Sequence, residues 1–96
     1  MYLHIKIKGR VQGVGYRRWI ERKAKDFLTI SGWVRNRVSG EVEIYAQGNQ
    51  EEIHSFLELC RKGPLFSKVE KIEPVSKIET NLPEIQQGIF TVKTTV

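Results

Sequence analysis

The sequence predicts an α+β sandwich with elements in the order βαββαβ plus a short extra strand, giving a four- to five-stranded antiparallel sheet covered on one face by two helices. Three observations lead there. Apolar residues alternate with polar ones at the N-terminus and again around residues 41–46, and the stretch 30–36 between them is rich in strand formers. Between and after these stretches the apolar period lengthens to three and four. Each helical stretch carries a single apolar stripe, enough to cover one side of a sheet.

Taken in order, Leu3, Ile5 and Ile7 alternate with His4, Lys6 and Lys8 in a half-buried strand that Gly9 ends. From Arg18 the spacing of Ile20, Ala24, Phe27 and Leu28, with Trp19 beside them, predicts an amphipathic helix of about three turns. "ISGWVRN", the turn "RVSG" and "EVEIYA" form a hairpin, with Val42, Ile44 and Ala46 on one face. Asn49 opens a second helix, with Glu52 three residues on in a variant of the capping box. Ile53, Phe56, Leu57 and Cys60 are its apolar stripe, and Gly63–Pro64 stops it. "SKVEKIEPV" is an edge strand or a bend because of Pro74. "KIETNLPEIQQG" is a long loop, and "IFTVKTTV" a closing strand. This order is that of the ferredoxin-like α/β sandwich, a fold that hosts many functions and by itself decides none.

The 96 residues make one domain, 1–96, with ordinary globular composition. No apolar run approaches the roughly 20 residues that cross a bilayer, and the alternating N-terminus lacks the apolar stretch of a signal peptide. Cys60 stands alone as a small buried hydrophobe, which suits a reducing cytosol, so the expected location is cytoplasmic. His4 and His54 have no companions at ligand spacing, so no metal is expected. Residues 1–37 carry ten Lys or Arg against Glu21 and Asp26, whereas residues 38–96 carry six against nine acidic residues. Positive charge therefore gathers on the first third of the chain and favours an anionic partner, either a small phosphorylated molecule or a nucleic acid.

Within that basic third lies "GRVQGVGYRR", Gly9 to Arg18, with three glycines, three arginines and no acid. It is either a plain connector or a seat for a doubly charged oxyanion. Gly13 and Gly15 permit a turn in which several N–H groups converge, and the loop runs into a helix whose first N–H groups have no intrahelical partner. Arg17, at the junction, can add a planar bidentate grip. The loop lacks the Lys–Ser/Thr ending of a nucleotide P-loop and the spacing of a dinucleotide fingerprint. A second candidate, Asn36, ends the strand "GWVRN". It is either a turn residue or a carboxamide that holds a water without adding a charge that repels phosphate.

"IKGRVQGVGYR" and "GWVRNRVSGEVEIYAQG" resemble the two signature segments of the acylphosphatase family. Gly9 through Arg17 follows Gly, any, Val-Gln-Gly-Val, any, aromatic, Arg; Gly32, Trp33, Val34 and Asn36, then Gly40, Val42 and Gly48, follow the second pattern. The likeness continues through "KGP" at Lys62–Pro64 and the end strand Phe90–Val92. It implies hydrolysis of the carboxyl–phosphate bond of acyl phosphates with no metal, no other cofactor and no covalent intermediate. The residues it assigns to the phosphate are Val11, Gln12, Gly13, Val14, Gly15 and Tyr16, through their amides, and Arg17; the catalytic pair is Arg17 and Asn36, the latter orienting the water. A small acyl phosphate is then the partner, with no nucleic acid or membrane, and the protein acts as a monomer. Tyr16 stands where Phe or Met is commoner in the family, Ser39 where Asp is usual, and Thr29 where Gly is common. All three departures bear on local stability.

Two rival readings remain. The same element order underlies the RNA-recognition motif, but its central strands here would show only Tyr2 and Tyr45 as rings, beside Glu41 and Glu43, which repel phosphate. The other is a non-catalytic phosphate sensor or a protein serving a larger enzyme.

Overall fold

Alternation along the first strand sets the layers. In the computed structural model, which describes residues 1–76, 79 and 81–96, Ile5 and Ile7 of β1 (Tyr2–Arg10) are buried while His4 and Lys6 face the other way. The further elements are α1 (Tyr16–Ala24), β2 (Ser31–Asn36), β3 (Val42–Gln47), α2 (Gln50–Lys62), β4 (Lys68–Pro74) and β5 (Phe90–Val92). They form a five-stranded sheet in the order β4-β1-β3-β2-β5. Ile5 pairs with Ile44 and Ile44 with Val34, so one row of apolar side chains crosses the sheet beneath the helices. Ile20 and Ala24 of α1 and Ile53, Phe56 and Cys60 of α2 close over it.

Four strands are antiparallel, as expected; the fifth is not. β5 runs parallel to β2, with Gly32 opposite Phe90 and Val34 opposite Val92. The reason is topological. The chain leaves β4 at the end of the sheet where β2 begins, crosses to the opposite edge, and must start β5 from that same end. Part of the expected long loop, residues 77, 78 and 80, lies outside the described residues. Pro83 is seen beneath the sheet, where its carbonyl accepts from Trp33 Nε1 at 2.9 Å.

The helix boundaries differ from expectation at α1. The helix begins two residues early, so Tyr16 joins Ile20 and Ala24 on the buried face, and it ends at Ala24. Phe27 still packs edge-on against Phe56, at 6.0 Å between ring centroids, but Leu28 is 97% exposed. A tertiary contact captures this exit. The Glu52 carboxylate accepts from Leu28 N, Thr29 N and Thr29 Oγ1, at 3.2, 2.7 and 2.6 Å. Asn49 caps α2 by accepting from Glu52 N at 2.8 Å, and Thr29 Oγ1 accepts from Asn49 N at 3.0 Å. Glu52 therefore does not turn back to its own cap as in a capping box. Thr29, one of the family departures, knits the two helices together here.

Tyr16, another departure, has a similar use. The carbonyl of Cys60 sits where α2 should bond the N–H four residues on, but that residue is Pro64, which has none. Tyr16 Oη donates to it at 2.6 Å. Burial, with the Cys60 thiol beside it, pushes the Tyr16 phenol far above its ordinary pKa. Burial likewise pushes the Cys60 thiol up to about 12, so Cys60 is the inert small hydrophobe expected.

The face away from the helices carries charge under cover. Glu43 is fully buried and Arg35 is 4% exposed; Arg35 Nε donates to Glu43 Oε1 at 2.8 Å, and His4 Nε2 lies 2.6 Å from Glu43 Oε2. Arg37 Nη1 reaches the same carboxylate at 3.1 Å. Burial pushes the Glu43 carboxyl up, but the bonds from His4 and Arg35, with the charge of Arg35, outweigh it and hold the group below its ordinary value. A carboxyl depressed on folding contributes stability that is complete above its unfolded pKa and is lost as pH falls through the folded one.

Two outcomes are expected. Tyr16→Phe leaves the Cys60 carbonyl unpaired and lowers unfolding free energy by about 1–3 kcal/mol in urea titration. The stability of the native chain falls as pH drops below the ordinary carboxylate range, and thermal melts of Glu43→Gln, though lower at neutral pH, show a shallower decline over that acid window.

Candidate active site

The loop between β1 and α1 is anchored by its apolar side chains and open at its glycines. Val11 and Tyr16 are each 1% exposed and Val14 packs against the core. Gly13 and Gly15 take φ of 74° and 81°, the left-handed region, and a Cβ at either would meet only open space. Side chains thus point down into the protein while the backbone turns outward. Gly15 is also the N-cap of α1, and no side chain caps it. The first helical hydrogen bond is Trp19 N to Gly15 O at 3.0 Å. None of the main-chain N–H groups of residues 12–18 finds an acceptor among the described residues. A helix start is normally capped by Ser, Thr, Asp or Asn; here its orphan donors stay available.

A cleft of about 580 Å³ opens over this loop, lined by Gln12, Gly13, Gly15, Arg17 and Asn36 among others. The folded chain therefore brings together the two sequence segments in which site residues were expected. Arg17 is half-buried and its guanidinium makes no ion pair or hydrogen bond among the described residues. Asn36 ends β2 on the helix-facing side, paired with Val42, and its main-chain carbonyl accepts from Val96 N at 3.2 Å. Its Oδ1 is shut off from bulk solvent and has no hydrogen-bond partner. An unpaired buried carbonyl costs about 1–3 kcal/mol, which a donor brought to it would offset.

The expected residues play unequal parts. Val11 and Tyr16 border the cleft, but their side chains belong to the core, so only their main chain can face an anion. Val14 is not among the lining residues. Gln12 borders the cleft, yet its side chain turns to the β2–β3 hairpin, donating from Nε2 to Arg37 O and Glu41 O at 2.8 and 2.9 Å. His4 lies on the opposite face against Glu43 and takes no part.

Four lining residues escaped the sequence reading: Arg18, Glu21, Thr91 and Val92. Arg18 and Glu21 follow from the earlier start of α1. Thr91 and Val92 arrive through the parallel docking of β5, which no local pattern announces. Glu21 is acidic, so it opposes an anion and leaves the grip to the amides and Arg17. A helix N-terminus contributes about 0.3–1 kcal/mol toward an exposed anion, up to ~2 when partly buried, and each charge-assisted hydrogen bond about 1.5–3. Several such donors can hold a doubly charged oxyanion.

Comparison with known proteins bears on what is held. The family model described as Acylphosphatase matches residues 3–87. The chain is 49% identical over 71 residues to an acylphosphatase of Azorhizobium caulinodans, covering 74% of this chain and 75% of that one. It is 37% identical over 92 residues to an acylphosphatase of Leuconostoc mesenteroides, covering 95% and 96%. The crystal structure of acylphosphatase from Bacillus subtilis superposes with a TM-score of 0.77 at 35% identity, covering 96% of each chain.

Gly15→Ala places a Cβ on left-handed backbone at about 1–2 kcal/mol. Calorimetric titration with inorganic phosphate is expected to show affinity weakened by roughly tenfold, with the fold intact by circular dichroism.

Proposed function

The chain belongs to the acylphosphatase family, and from this premise we propose how it hydrolyses acyl phosphates: the N–H groups of the 11–16 loop and the helix start, with Arg17, hold the phosphoryl group while Asn36 orients the attacking water. The observation that carries this reading is one cleft bordered at once by the uncapped loop, the unpaired Arg17 and the side of Asn36.

The chemistry suits so sparse a set of groups. The water oxygen attacks phosphorus, the bond from phosphorus to the acyl oxygen breaks, and the carboxylate leaves with the electron pair. A carboxylate is a good leaving group, so no strong general acid is required, and the reading calls for no metal and no covalent intermediate. The proton passes from water to the substrate's own phosphate oxygens. Tyr16 is unsuited to proton transfer, since its phenol is buried and already donates to Cys60 O.

Alignment of water with phosphorus can contribute up to about 7–11 kcal/mol of barrier lowering. Each preorganised donor aimed at developing charge is worth about 3–4 kcal/mol. A neutral carboxamide suits the water-holding role, because a carboxylate at position 36 would repel the phosphoryl group.

A small molecule is the partner this reading requires, in place of a nucleic acid. On the sheet face that an RNA-recognition module leaves bare for bases, Trp33 is fully buried with its Nε1 donating to Pro83 O, and Glu43 is buried beside it.

Steady-state hydrolysis of benzoyl phosphate in the presence of EDTA tests the assignment. Arg17→Ala loses turnover and, with it, inhibition by inorganic phosphate. Asn36→Ala loses turnover by roughly 100-fold or more while its phosphate inhibition constant stays within about threefold of the native value. Full turnover in Asn36→Ala would remove the water-orienting role.

A further inference from the structure

We propose that Gln12 is a positioning residue whose side-chain amide fixes the phosphate loop against the hairpin turn that carries Asn36. The inference rests on the reading of Asn36 given above and assigns Gln12 a second role beyond its main-chain N–H.

The geometry is specific. Gln12 Nε2 has two hydrogens, and it has two acceptors: Arg37 O at 2.8 Å and Glu41 O at 2.9 Å. Both carbonyls belong to the β2–β3 turn, and Arg37 follows Asn36 directly. No other hydrogen bond among the described residues joins residues 11–15 to residues 36–41. The loop and the turn lie 25 and 29 residues apart in sequence at these two bonds, so chain connectivity does little to set their distance.

Stability alone does not account for the arrangement. Each of the two carbonyls already has a partner within the turn: Gly40 N donates to Arg37 O at 3.0 Å, and Arg37 N donates to Glu41 O at 2.8 Å. Removing Gln12 would therefore orphan neither acceptor, and the turn would keep its own bonds. What would be lost is the registration of one segment on the other. The cradle of N–H groups is local to residues 12–18, and the carboxamide is local to β2. Only their separation depends on the amide of Gln12. A reacting water must lie in line with the bond that breaks, and a displacement of about 1 Å can cost on the order of 100-fold in rate. Phosphate binding needs no such registration.

The test uses Gln12→Met, which keeps the length of the side chain without its donors, and Gln12→Ala. Benzoyl phosphate hydrolysis and inhibition by inorganic phosphate are measured for both, alone and combined with Asn36→Ala. The expected result is a kcat about 10- to 100-fold lower with a phosphate inhibition constant within about threefold of native. In the Asn36→Ala background, Gln12→Met should lower kcat by less than about threefold, because the registered group is already gone. The proposal is overturned if kcat is unchanged, if phosphate inhibition weakens as much as turnover, if the two losses multiply, or if neither variant folds. Asn36→Ala with native turnover would sink the underlying reading and this one together. Loss in Asn36→Ala alongside an unimpaired Gln12→Met would sink this one alone.

Discussion

The N–H groups that open α1 have no partner among the described residues. A glycine at φ 81° caps the helix without a side chain, and the main-chain donors of residues 12–18 find no acceptor among the described residues. Unpaired donors next to the positive end of a helix dipole are costly unless water or an anion meets them. Much of the surrounding packing keeps this loop from relaxing. Val11 and Tyr16 are buried on either side of it, and Val14 packs against the core between them. The loop is thus fixed by its apolar residues and left open by its glycines, a division of labour that gives preorganised donors without a strained non-glycine residue.

The support for that loop comes from the far ends of both helices. Tyr16 reaches under the loop to the last turn of α2, where Pro64 leaves the Cys60 carbonyl without its helical donor. Thr29 and Glu52 bind the exit of α1 to the start of α2. α1 is therefore tied to α2 at both its ends, and its N-terminus borders the same cleft as the end of β2 where Asn36 lies. Tyr16 and Thr29, both polar groups at the ends of α1, supply these ties.

The opposite face of the sheet solves a different problem. A five-stranded sheet with helices on one side would leave its other side bare. Here the segment around Pro83 covers Trp33, and Glu43 gathers His4, Arg35 and Arg37 about one carboxylate. Buried charge is tolerable only when each member is paired, and this cluster meets that condition. The crossing segment also delivers β5 to the edge beside β2. Cover for the back of the sheet and the wall of the cleft are consequences of one crossing.

Much of this was legible in the sequence because it is local. Periodicity in Leu3–Ile7, in Ile53–Cys60 and in Val42–Ala46 reports burial at neighbouring positions, and a glycine-rich loop before a helix reports unpaired donors. Those signals located β1, the hairpin, α2 and the loop with Arg17, and the two signature segments brought Asn36 in with them. Sequence could not show that β5 runs parallel to β2, that Thr91 and Val92 wall the cleft, or that the Gln12 side chain leaves its own loop for the hairpin. Nor could it show Glu52 turning from its own helix cap to Thr29, or Glu43 and Arg35 buried as a pair. Each of these joins residues distant in sequence or on separate elements, and its energy depends on a neighbour that exists only once the layers have closed. Local pattern determined which segments would form and that the loop would carry unpaired donors; the tertiary structure decided what stands opposite it, since those contacts are set by strand direction and packing and not by the spacing of residues along the chain.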